Sequence, residues 1–285
     1  MKKSVVLLLL LLASFTYIQA RNITYRKSDS IMVVKMLKQA QLQPKQTNFQ
    51  LFFARKFLNI PYVASTLDIF DDEHLIVNLR QMDCTTLVEN VTALTICAQR
   101  RFSTFHDYCS VLRSLRYKGG SITDYTSRLH YFTQWIEDNQ HKKLVVEIQA
   151  PNPPFSATQT IDLHFMSTHA SLYHSLTLHP EYVPVIRRDE NALKGQKYKY
   201  IPKSLIERNV KSLRAVSDGD IIAITTSKDG LDIAHVGIAV WHKDGLHLLN
   251  ASLIHHQVVE ESMTLGQYLK KHPSHTGIRI VRITK

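Results

Sequence analysis

The sequence predicts an α+β protein in which helices come first and an antiparallel sheet follows. In the first half of the chain, apolar residues recur at helical steps of three and four. Leu87, Val91, Leu94 and Ala98 are the cleanest case. From residue 218 onward the period changes to short apolar runs separated by tight turns, Asp218-Gly219-Asp220, Lys228-Asp229-Gly230 and Lys243-Asp244-Gly245. Helices followed by turn-linked strands is an α+β order, and the strands read as an antiparallel meander. Neither an internal repeat nor a linker long enough to split the chain interrupts this.

The chain opens with Met1-Lys2-Lys3-Ser4, Val5-Val6 and leucines from Leu7 to Leu12, then reaches Tyr17-Ile18-Gln19-Ala20. A charged start, a short apolar run and a small residue at a cleavage position read as a signal peptide over residues 1–20. The apolar run falls short of the roughly 20 residues a membrane span needs. No cysteine follows it to carry a lipid, so the expectation is an exported protein, periplasmic or secreted, with no stable membrane anchor after signal removal. About 265 residues then remain, enough for one sizeable domain.

With 44% hydrophobic residues, the composition is that of an ordinary globular chain. The formal charge of +11 includes the two leader lysines. The basic residues are dispersed, and their densest stretch, Lys194 to Lys203, interleaves with tyrosines. In an exported protein such a surface suits an anionic envelope polymer, or simple solubility, better than nucleic acid.

In chain order, residues 28–42 form an amphipathic helix through Ile31, Val34, Met36, Leu37 and Ala40, and Asn48 to Leu58 a second, ending at Asn59-Ile60-Pro61-Tyr62. Leu75 to Leu79 is an apolar lead-in to a helix beginning near Cys84. Further helices are predicted over Phe105–Leu115 and Ser127–Ile136. Leu144–Ile148 and Thr160–Phe165 alternate like strands around the turn-rich Pro151-Asn152-Pro153-Pro154. The sheet strands are Ile221–Thr226, His235–Trp241, Leu246–Ser252, His256–Val259 and Ile278–Ile283.

Cys84 stands in Met82-Asp83-Cys84-Thr85-Thr86-Leu87, with Asp83 a plausible N-cap or amide-positioning residue. A thiol in the first turn feels the unpaired backbone N–H groups there, which lowers its pKa and favours the nucleophilic thiolate. The other two cysteines, Cys97 and Cys109, are open to pairing or to burial as free thiols. Cys84 and Cys97 on one helix would be about 20 Å apart, too far to bridge. His235 opens one strand and Asn250 ends the next. Neighbouring strands lie about 5 Å apart, which allows Asn250 to hold the His235 imidazole. Thiolate, base and orienting group would then occur in the order Cys, His, Asn. His164, His169, His174 and His179 recur every five residues, a step of roughly 140° around a helix that does not gather ligands on one face.

Four segments extend this reading: Phe57-Leu58-Asn59-Ile60-Pro61-Tyr62-Val63-Ala64, Met82 to Asn90, Ser127-Arg128-Leu129-His130-Tyr131-Phe132, and Gly219-Asp220 through His235-Val236-Gly237 to Asn250-Ala251-Ser252. With them the chain resembles the NlpC-type, papain-like cell-wall hydrolases, and within these the N-acetylmuramoyl-L-alanine amidase-like branch. The resemblance implies a papain-like fold and a single cysteine amidase domain over residues 21–285, with an inserted region at about 140–200. It implies Cys84 as nucleophile, His235 as base and Asn250 as orienting residue, with peptidoglycan fragments as substrate and no metal or cofactor. Asp83, Tyr62, Arg128 and His130 are the candidate substrate-binding residues. The rivals are a γ-D-glutamyl endopeptidase of the stem peptide and a non-catalytic wall-binding module. Asn59, where the superfamily favours Gly, and Asn250, where relatives often carry His, depart from the pattern.

Overall fold

In the computed structural model, residues 23–208 and 211–284 are described, so the leader read at residues 1–20 lies outside the described residues. The first short strand, β1 (Ile23–Tyr25), pairs in parallel with β2 (Leu75–Val77). Between them come α1 (Lys27–Gln41) and α2 (Phe49–Ala54), the latter running into a 3-10 turn over Arg55–Phe57. Asn48 starts α2 by accepting the Leu51 N–H at 3.1 Å, and it donates at 2.7 Å to the carbonyl of Asp218, tying the helix to the turn before the main sheet. Asn59 ends this segment with a left-handed φ of 68°. Glycine adopts that conformation freely and asparagine tolerates it, which accounts for the Asn-for-Gly departure.

The central helix α3 (Cys84–Gln99) is followed by α4 (Phe105–Arg116) and α5 (Phe132–His141). Glu89 of α3 and Arg116 of α4 form a buried ion pair at 2.6 Å, and Arg116 also donates to the Ile76 carbonyl of β2 at 2.8 Å. These bonds hold α3 and α4 in register with the small parallel sheet.

The main sheet has eight strands: β3 (Val145–Ile148), β4 (Ala157–Thr160), β5 (Lys197–Pro202), β6 (Ile221–Thr226), β7 (Ile233–His242), β8 (Gly245–Ser252), β9 (Gln257–Glu260) and β10 (His275–Ile283). Their order is β4-β5-β10-β6-β7-β8-β9, all neighbours antiparallel, with β3 also pairing to β10. Alternation sorts the side chains of β7. Val236, Ile238 and Val240 pack with Leu87, Val91 and Leu94 of α3, while Ala239 faces a second core with Leu248, Ile222 and Leu269. Helices α6 (Phe165–Thr168), α7 (His174–Leu178) and α8 (Tyr182–Ala192) gather around a third core that includes Tyr131, Met166 and Ile186. No helix among the described residues is long and apolar enough to cross a membrane.

Three elements differ from the sequence reading. The helix expected over Ser127–Ile136 starts only at Phe132. Asp124 caps a 3-10 turn at Tyr125–Ser127, and Arg128 then runs extended because Leu129 N–H bonds the Arg116 carbonyl at 2.9 Å. The strand expected over Thr160–Phe165 is β4, ending at Thr160. Ile161 and Leu163 still alternate, but they fill the third core, and the N–H groups of His164 and Phe165 go to the Gly230 carbonyl. Finally, β10 does not extend the meander beyond β9. It follows a short helix, α9 (Leu265–Lys270), and returns beside β6.

Candidate active site

Asp83 has extended backbone at the head of α3, and its carboxylate accepts the Thr86 N–H at 2.8 Å while the Thr86 hydroxyl accepts the Asp83 N–H at 2.9 Å. This reciprocal cap fixes the helix start one residue before Cys84. Capping occupies Asp83, so of its two sequence readings the cap is the one its bonds express. The N–H groups of Cys84 and Thr85 belong to the first turn, which has no intrahelical acceptors and presents positive potential to the thiol.

His235 reaches Cys84 because β7 is distorted at that point. Ile224 pairs with His235 but Thr225 pairs with Ile233, so Ala234 is an extra residue in the ladder. A bulge bends a strand and re-aims the neighbouring side chain. His235 Nε2 lies 2.9 Å from Asn250 Oδ1, leaving Nδ1 for the thiol. Extending the β7–β8 register by one rung from Ile238↔Leu249 sets Gly237 opposite Asn250 and His235 diagonal to it. Gly237 keeps that rung clear: a Cβ there would fall 2.6 Å from a Leu248 methyl and 2.8 Å from the Leu249 carbonyl oxygen.

Burial is the largest single influence on Cys84 and opposes ionisation. The charge of His235, a hydrogen bond from its ring and the Val236 backbone N–H outweigh burial together with the opposing charge of Asp83, and the thiol pKa is lowered. For His235, burial again opposes the charged form, but Cys84 and the hydrogen bond to Asn250 prevail and its pKa is raised. The geometry therefore favours a thiolate–imidazolium pair. Cys97 and Cys109 are free, buried thiols whose pKa values burial pushes up to about 12. Only one cysteine has the environment of a nucleophile.

The Cys84–His235 pair lies in the wall of a cleft of about 230 Å³, lined also by Tyr125, Tyr131, Phe132, Met166 and Tyr173. Arg128 and His130 line it too, but the three guanidinium nitrogens and His130 Nε2 already have partners in the protein. The guanidinium of Arg128 bonds both Glu73 oxygens at 3.0 and 2.7 Å, Asp68 at 2.7 Å and the Leu67 carbonyl at 3.2 Å. His130 bonds the Tyr125 carbonyl at 2.8 Å, and burial with the nearby Arg128 charge pushes its pKa down to about 3, so it is neutral. Tyr62 is bridged to Met82, and burial, with the charges of Cys84 and Asp83, raises the pKa of its hydroxyl. Trp135 is buried and stacks on Phe132 behind the cleft.

Two features had no sequence motif. Glu261, just past β9, accepts the Asn250 Nδ2 at 3.1 Å, and the Val236 N–H faces the thiol. Away from the cleft, on the β7–β8 hairpin, His242, Asp244 and His247 place ligand atoms within 4.8 Å of one another. There His242 bonds Glu260 at 2.6 Å, and His247 bonds the Glu261 carbonyl at 2.8 Å and Asp244 at 3.0 Å. The histidines spaced five apart do not cluster: His164 meets Asp229, His174 meets Asp71 and His179 meets Glu181.

The sequence model of the N-acetylmuramoyl-L-alanine amidase-like family matches residues 52–278, which include all of this site. The chain belongs to that family. No curated protein matches it. Among solved structures it is similar to an N-acetylmuramoyl-L-alanine amidase from Bacteroides uniformis, 36% identical with a TM-score of 0.78, over 87% of this chain and 100% of that one. A Bacteroides fragilis protein provisionally described as a xylanase is 41% identical, with a TM-score of 0.77 over 82% of this chain and 100% of that one. A Legionella pneumophila protein, 19% identical with a TM-score of 0.69 over 91% of this chain and 95% of that one, shares the fold.

Proposed function

We propose that the chain is an exported cysteine amidase that hydrolyses the amide between the lactyl group of N-acetylmuramic acid and L-alanine in peptidoglycan fragments, on a papain-like, NlpC-type fold. Membership of the amidase-like family supports the bond. The observation that carries the mechanism is the hydrogen-bonded chain from Cys84 through His235 to Asn250 beside an aromatic cleft. The Cys84 thiolate attacks the lactyl carbonyl, and the oxyanion develops toward the backbone N–H groups at the head of α3. Collapse breaks the C–N bond as His235 gives its Nδ1 proton to the L-alanine nitrogen, leaving a thioester. His235 then takes a proton from water, whose oxygen attacks the thioester to release the lactyl carboxylate and restore the thiolate.

The cleft favours the sugar side of the substrate over the acidic stem. Tyr125, Tyr131, Phe132 and Tyr173 line it with aromatic surface suited to an uncharged ring. Arg128 is already paired with both Glu73 and Asp68, so its charge is offset before a D-glutamate carboxylate could reach it. Glycoside hydrolysis, the chemistry of a xylanase, uses two carboxylates flanking the scissile bond. Here Asp68 is tied to Arg128, and Asp232 accepts the Thr133 N–H at 2.7 Å.

Mass spectrometry of a defined muropeptide digest tests the reading. A released stem peptide beginning with L-alanine, together with a free lactyl sugar, is the expected result. A sugar still carrying L-Ala-D-Glu would establish the endopeptidase instead. Binding of wall fragments without turnover would establish a non-catalytic module.

A further inference from the structure

We infer that Glu261 is a fourth, positioning member of the site, which fixes the Asn250 amide and through it the tautomer of His235. Asn250 is fully buried and could present either its oxygen or its NH₂ to the imidazole. A carboxylate only accepts, so Glu261 Oε1, at 3.1 Å, selects Nδ2 as its partner. That turns Oδ1 toward His235 Nε2 at 2.9 Å. An amide oxygen also only accepts, so Nε2 carries the hydrogen and Nδ1 keeps its lone pair for the thiol proton. With the amide reversed, Nδ2 would face Nε2, the hydrogen would move to Nδ1, and the base would turn its lone pair away from Cys84.

The placement of Glu261 is built rather than incidental. Asn250 pairs with Val259 across β8–β9, and Glu261 lies two residues farther, diagonal to Asn250 on the same face. Both backbone groups of Glu261 are pinned: its N–H bonds the Leu248 carbonyl at 2.9 Å and its carbonyl accepts His247 Nδ1 at 2.8 Å. The side chain is 2% exposed, and besides Asn250 it meets the half-exposed His255 at 3.3 Å. Burying a carboxylate against so weak a partner opposes folding, and an apolar side chain would fill the position at lower cost. A role in orienting the amide accounts for a carboxylate there.

This role rests on the cysteine mechanism proposed above but not on which bond is cut. The experiment is a double-mutant cycle on the full chain, with Glu261→Leu, Glu261→Gln, Asn250→Ala and the Glu261→Leu and Glu261→Gln changes each combined with Asn250→Ala. Each is read by kcat on muropeptide and by the pH profile of Cys84 alkylation with iodoacetamide. Removing the outer partner of a metal-bound imidazole costs roughly 10- to 100-fold, and by analogy Glu261→Leu is expected to lower kcat by about that much and move the alkylation midpoint upward. Glu261→Gln, which can still present an oxygen to Nδ2, should lose less. On top of Asn250→Ala, either change should cost much less than in the wild-type background, what remains being the direct effect of the lost Glu261 charge on His235. Equal losses in both backgrounds, or an unmoved midpoint in a folded Glu261→Leu protein, would overturn the role. If Glu261→Leu does not fold, the Glu261→Gln arm decides by the same criterion. Failure of wild type to cut muropeptide would sink the amidase reading alone, since the alkylation cycle still reports on Glu261.

Discussion

Replacing Arg128 by methionine separates two roles that sequence alone leaves merged. The guanidinium lines the cleft, where a substrate ligand belongs, but its bonds go to Glu73, the Leu67 carbonyl and Asp68, the last itself in the cleft wall. Arg128→Met strands Glu73, whose side chain is 3% exposed. Breaking a buried pair by removing one partner costs about 3–5 kcal/mol. The lower end applies here, because Tyr117 still donates to Glu73 at 2.7 Å and Asp68 retains solvent. For a chain of this size each kcal/mol is worth about 2–4 °C, so about 3 kcal/mol should lower Tm by roughly 6–12 °C. Adding Glu73→Gln removes the stranded charge and should recover much of the loss. Thermal unfolding followed by circular dichroism, with KM measured on the same proteins, decides the matter. An Arg128→Met protein as stable as wild type but with a raised KM would refute the anchoring role and return Arg128 to substrate recognition.

Cys84→Ala should abolish turnover without unfolding the protein, whereas Cys97→Ser and Cys109→Ser should keep activity; an amidase assay with a circular dichroism check reads both. His235→Ala should lower kcat by roughly 10²–10⁴-fold, with Asn250→Ala less damaging and Asn250→His less so again, because a histidine there can still bond Glu261. A lowered thiol pKa and a raised imidazole pKa both shift the equilibrium toward the ion pair. Cys84 should therefore alkylate at a pH where Cys97 and Cys109 are inert, and His235→Ala should move its profile upward. Asp83→Asn keeps a good N-cap but removes a charge that opposes the thiolate. Tm should hold while Cys84 alkylates at lower pH, and a large loss of Tm would show that the cap needs the carboxylate.

The parts of the site set by local periodicity were legible in the sequence. The helix beginning at Cys84 follows from Leu87, Val91 and Leu94, and the β7–β8 hairpin follows from Lys243-Asp244-Gly245, which sets His235 near Asn250. What escaped depends on partners distant along the chain. Ser127 to Tyr131 carries a helical pattern, yet Arg128 is drawn out of a helix by Glu73 and Asp68, 55 and 60 residues away. The bulge at Ala234 has no residue signature, because it arises where β6 and β7 fall out of step. Glu261 had a weak signal: alternation from Val259 puts it on the Asn250 face, but only the register of β8 with β9 identifies its partner. The strand placed at Thr160–Phe165 had the correct alternation and the wrong consequence, since period two describes a face and not a ladder.

The proposed mechanism asks the charges around the cleft to leave a thiolate–imidazolium pair available for chemistry. Burial opposes both Cys84 and His235 as ions, so neither charge is stable without the other. A stray neighbouring charge would upset such a pair more than it would in water, because buried interactions are weakly screened. Of the nearby ions, Arg128 is paired with two carboxylates and Asp232 accepts the Thr133 N–H, whereas Asp83, although held by the cap of its own helix, still opposes the thiolate. Glu261 is farther out, and its charge favours the imidazolium while its oxygen holds the Asn250 amide. On the proposed mechanism, the reactivity of Cys84 would follow from the pairing of Arg128 and Asp232 as well as from His235.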